Sequence, residues 1–175
     1  MREHGYVFEV IAPDDEPAHL FEHLPPAELA EALSLHKAKS VASKLSSGLV
    51  LGGDTVAAVG DRVIGKPADR DDARSILRTL SGTTHRVITG VTLLDAATGA
   101  CETVHDVTAV TMRHISDDEI ERYLDSGEWQ GKAGAYGVQD RGDEFVTRLD
   151  GSFTNVVGFP MELIRRMLSR IANLE

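Results

Sequence analysis

Leu51-Gly-Gly-Asp-Thr-Val-Ala57 carries an apolar strand into two glycines and then presents Asp54 and Thr55. We expect the strand to run from Leu49 to Leu51, and the two glycines that follow it let the backbone turn sharply and let a ligand come close. A carboxylate at a strand end is well placed to hold a metal ion or to activate water, whereas an isolated one more often caps a turn. This stretch makes Asp54 the leading candidate for a catalytic residue.

Helices and strands interleave along the rest of the chain. Apolar spacing and turn residues predict the following elements in order: a strand from Tyr6 to Ile11, a helix from Pro25-Pro26 to about Leu45, a short hairpin of residues 56–59 and 63–64, a helix from Arg70 to Leu80, a long hairpin of residues 85–94 and 101–112, a capped helix from Ser116 to about Leu124, a strand around Phe145 to Leu149, and a closing helix after Pro160. A long hairpin among interleaved helices favours an α/β fold with a mixed sheet.

The composition limits the possible partners. A length of 175 residues suits a single domain, taken as residues 1–175, with a substantial core. The net charge of −10 argues against a broad surface for nucleic acid or anionic membranes, although a few lysines can still form a local phosphate pocket. Cys101 is the only cysteine, and no apolar run approaches the ~18 residues of a membrane span, so we expect a cytoplasmic protein.

Two charged motifs each allow two interpretations. Gly60 to Lys66 spells the start of a phosphate-binding P-loop, but Pro67 stands where that motif needs a hydroxyl, so Lys66 is expected to meet phosphate only as a point charge. The acidic run Asp14-Asp15-Glu16 can supply a second oxygen ligand for Mg²⁺, or it can be a solvated loop. Lys37 lies on the first predicted helix, and a lysine side chain on a helix is most often simply exposed to solvent.

The stretch Lys132-Ala-Gly-Ala-Tyr-Gly-Val-Gln139 combines a lysine, two glycines, an aromatic ring and an amide. Such a loop can approach a nucleotide closely, and the amide of Gln139 can read a base edge because it offers both a donor and an acceptor. A glycine-rich turn with Tyr136 in the core is the alternative.

The chain carries a set of short segments in this order: Lys37-Ala38, Gly53-Asp54-Thr55, Gly65-Lys66-Pro67, Leu80-Ser81-Gly82, His85, Thr89-Gly90, Lys132 to Gln139, and Gly151-Ser152 to Pro160. Taken together and in this order, these segments resemble the Maf family of nucleoside triphosphate pyrophosphatases. The subgroup that hydrolyses dTTP and UTP has an Ala-Gly-Ala-Tyr-Gly-Ile-Gln stretch, which Ala133 to Gln139 nearly reproduces. The resemblance implies a Maf/ITPase-like α/β fold, with a long twisted mixed sheet flanked by helices.

By this resemblance the chain is a hydrolase that splits the α–β phosphoanhydride of dTTP, UTP or a modified pyrimidine nucleotide into a monophosphate and pyrophosphate. Asp54 would be the catalytic carboxylate and, with Glu16, a ligand of a divalent metal, Mg²⁺ or alternatively Mn²⁺. Substrate contacts would come from Lys37, Lys66, Thr55 and Gln139. The family also implies a homodimer and roles in house-cleaning of nucleotides and in septum formation.

One family motif, an opening strand followed by Ser-x-Ser-Pro-Arg-Arg, has no counterpart in this sequence, and Met1 would fall just after it. Its arginines and backbone amides would bind triphosphate, each charged hydrogen bond contributing about 1.5–3 kcal/mol. The sequence therefore leaves two hypotheses, an active pyrophosphatase and a catalytically impaired nucleotide-binding or regulatory protein of the same fold.

Overall fold

A five-stranded sheet forms the middle layer of the structure, and helices cover both of its faces. The computed structural model describes residues 1–14, 21, 23–139 and 141–172. The strands are β1 (Leu49–Val59), β2 (Arg62–Ile64), β3 (Thr84–Asp95), β4 (Cys101–Met112) and β5 (Val146–Asp150). The helices are α1 (Pro26–Ala42), α2 (Arg70–Leu80), α3 (Asp117–Ser126), α4 (Phe153–Val157) and α5 (Met161–Ala172). None of the described helices is long and apolar enough to cross a bilayer.

The sheet has the strand order β2-β1-β3-β4-β5. The α/β class and the flanking helices are confirmed, but the expected mixed sheet is corrected in one respect. Every strand pairing among the described residues is antiparallel. The reason is topological: α2 carries the chain from β2 to β3, and these two strands run in the same direction but lie on opposite sides of β1, so they do not pair with each other.

Two glycines bring α1 unusually close to the sheet. Gly52 on β1 and Gly90 on β3 both face the helix, and a Cβ atom built on Gly90 would lie 2.2 Å from the backbone oxygen of Ala30. A Cβ on Gly52 would lie 2.5 Å from the backbone oxygen of Ser34. Because no side chain fits in either space, α1 packs directly on the sheet backbone. This close packing determines the positions of the α1 side chains relative to β1.

The opposite face of the sheet carries the larger part of the core. Alternate residues of β3 point there, and α2, α3 and α5 pack against them with Leu77, Leu124 and Ile164 fully buried. The ends of α2 and α3 follow local signals. Asp69 caps α2 by accepting a hydrogen bond from the backbone N–H of Asp72, and α3 begins with the predicted capping box.

Two predictions of secondary structure were wrong. Tyr6 to Ile11 forms no strand, and with no pairing partner among the described residues it leaves Val7 and Val10 exposed. The expected end of the first apolar strand at Leu51 is also wrong, since β1 continues without a break from Leu49 to Val59. Gly52 allows the close approach of α1, whereas Gly53 faces the ring of Phe159 on the opposite side of the strand.

Candidate active site

A cleft of about 310 Å³ opens along one edge of β1. It lies there because β2 pairs with β1 only at Ala57, Ala58 and Val59, so no described strand covers the preceding part of that edge. The cleft is lined from four sides, by α1, by β1 and the segment after β2, by the loop of residues 131–139, and by the end of α4. Its polar and charged lining residues are Lys37, Asp54, Thr55, Lys66, Lys132, Tyr136 and Gln139.

Lys37 and Asp54 form a closely held ion pair in the cleft. The Lys37 Nζ donates a hydrogen bond of 2.7 Å to Asp54 Oδ1, and the two side chains are only 17% and 14% exposed. Gly52, two residues before Asp54 on the same face of β1, gives α1 the close approach that makes this contact possible. The structure thus presents a partly buried carboxylate whose charge is compensated by a lysine from a different element.

Thr55 points to the other face of β1, where it enters a chain of buried hydroxyl groups. Its Oγ1 lies 2.9 Å from Thr89 Oγ1, which in turn donates to the backbone oxygen of Asn155 at 3.0 Å. The amide of Asn155 donates to Val87 O at 3.0 Å and to Thr108 Oγ1 at 2.9 Å. This network ties α4 to the sheet and holds the Thr55 hydroxyl in one place at the cleft.

The loop of residues 131–139 forms the far wall of the cleft and is held in an unusual backbone conformation. Gly134 has φ 75° and Ala135 has φ 59°, and a non-glycine residue in this region is uncommon and strained. The backbone N–H of Gly134 donates to the carbonyl of Gly65 at 3.1 Å. This bond joins the loop to the segment that carries Lys66, so the two walls are connected directly.

Behind this wall, Tyr136 meets a buried histidine. The Tyr136 hydroxyl lies 2.7 Å from Nε2 of His85, and the two rings stack edge to face with centroids 5.4 Å apart. Burial lowers the pKa of His85 to about 4, so the imidazole is neutral near pH 7, and burial also raises the pKa of Tyr136.

The structure brings five of the six predicted site residues into this one cleft: Lys37, Asp54, Thr55, Lys66 and Gln139. The sixth, Glu16, lies outside the described residues. Lys132 lines the same cleft, although the sequence did not single it out from its motif. The position of Lys132 at the start of the glycine-rich loop is the sequence feature that could have identified it. His85 was noted only as part of the family pattern, and nothing local in the sequence ties it to Tyr136, which lies 51 residues further along.

The cleft suits a hard divalent cation only in combination with a ligand. The described residues contain no cluster of three or more acidic, histidine or cysteine side chains of the kind that encloses a metal by itself. Asp54 supplies carboxylate oxygen, and Mg²⁺ is commonly held by one or two carboxylates together with the phosphates of a substrate. The donor set therefore fits a metal that arrives with a phosphorylated ligand.

The charges of the cleft contrast with those of the whole chain. Three lysines and one aspartate line it, whereas the protein carries a net charge of −10. A local excess of positive charge inside an acidic protein attracts a polyanion to this place and not to the rest of the surface. The arrangement can bind phosphate groups beside a carboxylate that orients water.

Comparisons with known proteins identify the family of the chain. A family model described as Maf-like protein matches residues 1–171. The dTTP/UTP pyrophosphatase of Pelotomaculum thermopropionicum is 46% identical over 147 residues, which cover 84% of this chain and 77% of that protein. The enzyme of the same name from Moorella thermoacetica is 44% identical over 159 residues, or 91% of this chain and 82% of that protein. The resemblance inferred from the motifs is confirmed, and the chain belongs to the Maf family.

Proposed function

We propose that this protein is a nucleoside triphosphate pyrophosphatase that hydrolyses dTTP and UTP, or modified pyrimidine nucleotides, to the monophosphate and pyrophosphate. The observation that carries the proposal is the Lys37–Asp54 pair at 2.7 Å in a cleft that also contains Lys66, Lys132 and Gln139. Three relatives that are 44–46% identical to this chain are named dTTP/UTP pyrophosphatase, which supports the same substrates.

Asp54 is the catalytic carboxylate in this proposal. It orients a water molecule and accepts its proton as the water oxygen attacks the α-phosphorus, and pyrophosphate leaves with the electron pair of the broken bond. Lys37 holds the carboxylate in place and, with Lys66, neutralises the charge that develops on the phosphate oxygens. Phosphoryl transfer depends more on such positioning and electrostatic stabilisation than on a covalent nucleophile.

A divalent cation, Mg²⁺ or alternatively Mn²⁺, is the proposed cofactor, with Asp54 and Glu16 as its protein ligands. When bound, such a cation neutralises phosphate charge and polarises phosphoryl oxygens. Asp54 fits this role because it lies in the lysine-lined cleft where the phosphates are expected.

Gln139 is proposed to contact the base of the substrate, and Thr55 is proposed as a further substrate contact in the same cleft. The carboxamide of Gln139 matches the adjacent carbonyl and N–H groups of uracil and thymine. The buried hydroxyl chain behind Thr55 keeps its Oγ1 from turning away. We further propose that the protein is a cytoplasmic homodimer that acts in the house-cleaning of nucleotides, and a role in septum formation is suggested by the family alone.

The proposal is tested by incubating the protein with Mg²⁺ and a panel of nucleoside triphosphates and by separating the products. UMP or dTMP should appear with an equimolar amount of pyrophosphate. Release of orthophosphate instead would indicate a phosphatase that removes the terminal phosphate. Binding of UTP without any turnover would favour the regulatory nucleotide-binding protein.

Asp54→Asn should lower kcat by at least about a hundredfold, because general-base catalysis typically contributes 10²–10⁴-fold. The matched control is Asp61→Asn, which changes a fully exposed carboxylate in the turn between β1 and β2. Equal rates for the two variants would contradict the role assigned to Asp54, provided that both have wild-type circular dichroism.

A further inference from the structure

We propose that His85 is a positioning residue for the nucleotide. From behind the cleft it fixes Tyr136, and through Tyr136 it fixes the wall that carries Gln139. The proposal rests on the proposed function, because it assigns the 131–139 loop to the base end of the substrate.

The contact between the two residues is direct and enclosed. His85 is 1% exposed and Tyr136 is 5% exposed, and their polar atoms meet at 2.7 Å. His85 belongs to β3, in the middle of the sheet, whereas Tyr136 belongs to a loop. A hydrogen bond from the central strand of the sheet therefore reaches the wall of the cleft.

The pair is incompletely satisfied, which packing alone does not require. The Nδ1 atom of His85 is buried and has no hydrogen-bond partner among the described residues. A neutral imidazole carries one N–H and one lone pair. If the Tyr136 hydroxyl donates to Nε2, then Nδ1–H lacks an acceptor, and if Nε2–H donates to the hydroxyl, then Nδ1 lacks a donor. An apolar residue of similar size would avoid this cost, so the polar contact points to a role beyond filling space.

The same loop carries backbone strain immediately before Tyr136. Gly134 and Ala135 both have positive φ, and a conformation of this kind persists only where the surroundings enforce it. Two contacts outside the loop do so, namely the bond from Gly134 N–H to Gly65 O and the bond between Tyr136 and His85. Loss of the second contact leaves Tyr136 held by packing alone.

The residues that follow Tyr136 make this anchor relevant to the substrate. Gly137, Val138 and Gln139 line the cleft directly after it. A shift of Tyr136 would therefore move the amide of Gln139 and widen the cleft between this wall and β1. We expect nucleotide affinity and the preference for pyrimidines over purines to depend on the anchor more than the rate of phosphoryl transfer does.

The experiment compares His85→Leu, His85→Gln, Tyr136→Phe and the double variant His85→Leu/Tyr136→Phe with the wild type. Calorimetry gives the Kd for UMP, steady-state kinetics gives kcat and KM for UTP and GTP, and thermal unfolding gives Tm. His85→Leu should weaken UMP binding and raise KM for UTP by about tenfold, and it should lower the UTP-to-GTP preference. Tyr136→Phe should do the same, and the double variant should lose no more than either single variant. His85→Gln should recover most of the loss, because its amide reaches about the position of Nε2.

The proposal is overturned if His85→Leu lowers kcat and Tm while KM, Kd and the UTP-to-GTP preference stay unchanged, or if the effects of His85→Leu and Tyr136→Phe add fully. A wild-type protein that binds UMP but hydrolyses no triphosphate would end the proposed function alone, since the Kd values still decide the role of His85. A wild-type protein that binds no nucleotide would overturn both.

Discussion

Gly90→Ala is the sharpest test of how the fold positions the site. The new Cβ would lie 2.2 Å from the backbone oxygen of Ala30, whereas contacts of this kind in proteins do not fall below 3.0 Å. The helix α1 must therefore move away from β3 by about 0.8 Å or more, and no side-chain rotation relieves the clash because the opposing atoms are backbone. Overpacking of this degree typically costs about 1–3 kcal/mol of unfolding free energy.

The same displacement should affect the proposed catalysis through Lys37, which lies on α1. A rigid outward shift of this size would lengthen its 2.7 Å bond to Asp54 to the limit of a hydrogen bond. We expect kcat/KM for UTP to fall by about tenfold or more, since displacements near 1 Å can reduce rates strongly. Urea unfolding gives the stability and initial-rate kinetics gives the activity. Gly65→Ala is the control for stability, because its Cβ would meet nothing within 4 Å and its φ is not positive. If Gly90→Ala changes neither the stability nor kcat/KM, the hypothesis that the close packing of α1 positions Lys37 is refuted.

Two further variants probe separate charges. Lys37→Met should reduce kcat/KM for UTP by a factor of about 10–100, which corresponds to the loss of one charged hydrogen bond of about 1.5–3 kcal/mol. The control is Lys39→Met, on the exposed side of the same helix, which should match the wild type. Equal losses of kcat/KM in the two variants would argue against a specific role for Lys37. Glu121 has its pKa lowered from 4.5 to about 2 by hydrogen bonds from Arg74 and Arg70, so its contribution to stability is complete above about pH 4.5 and is lost as the pH falls towards 2. Glu121→Gln should therefore flatten the fall of unfolding free energy over this pH range, measured by urea titration, and an unaltered slope would contradict the pairing.

Local signals explain which parts of the fold could be predicted from the sequence. The helix α2 runs from Arg70 to Leu80 as expected, because a capping aspartate starts it and Gly82 follows its end. Gly52 misled the prediction of β1, since a glycine in a strand has the same appearance whether the chain turns there or another backbone packs against it. The distinction depends on Ser34 in α1, and sequence reasoning does not show which distant residue will lie above a strand.

Residues of the candidate site could also be predicted from the sequence where a local motif marked them, but not where a distant contact defines them. Asp54 stood out because of its two glycines, and Gln139 because of its glycine-rich loop. Lys37 entered only through the resemblance to a family, since a lysine on a helix is usually solvated. The support that His85 gives to Tyr136 could not be predicted, because it joins a strand to a loop 51 residues away.

The edge of β1 beside the cleft also bears on solubility. An edge of sheet with unpaired backbone groups is a template on which a strand of another molecule can add, and proteins protect such edges with charge. Here β2 stops after three paired residues, and the part of the edge that no described strand covers is flanked by Asp54 and three lysines. The charges proposed to bind a triphosphate also oppose the addition of an apolar strand at this place. Substrate binding and resistance to aggregation thus draw on one set of side chains, which restricts how freely those positions can change.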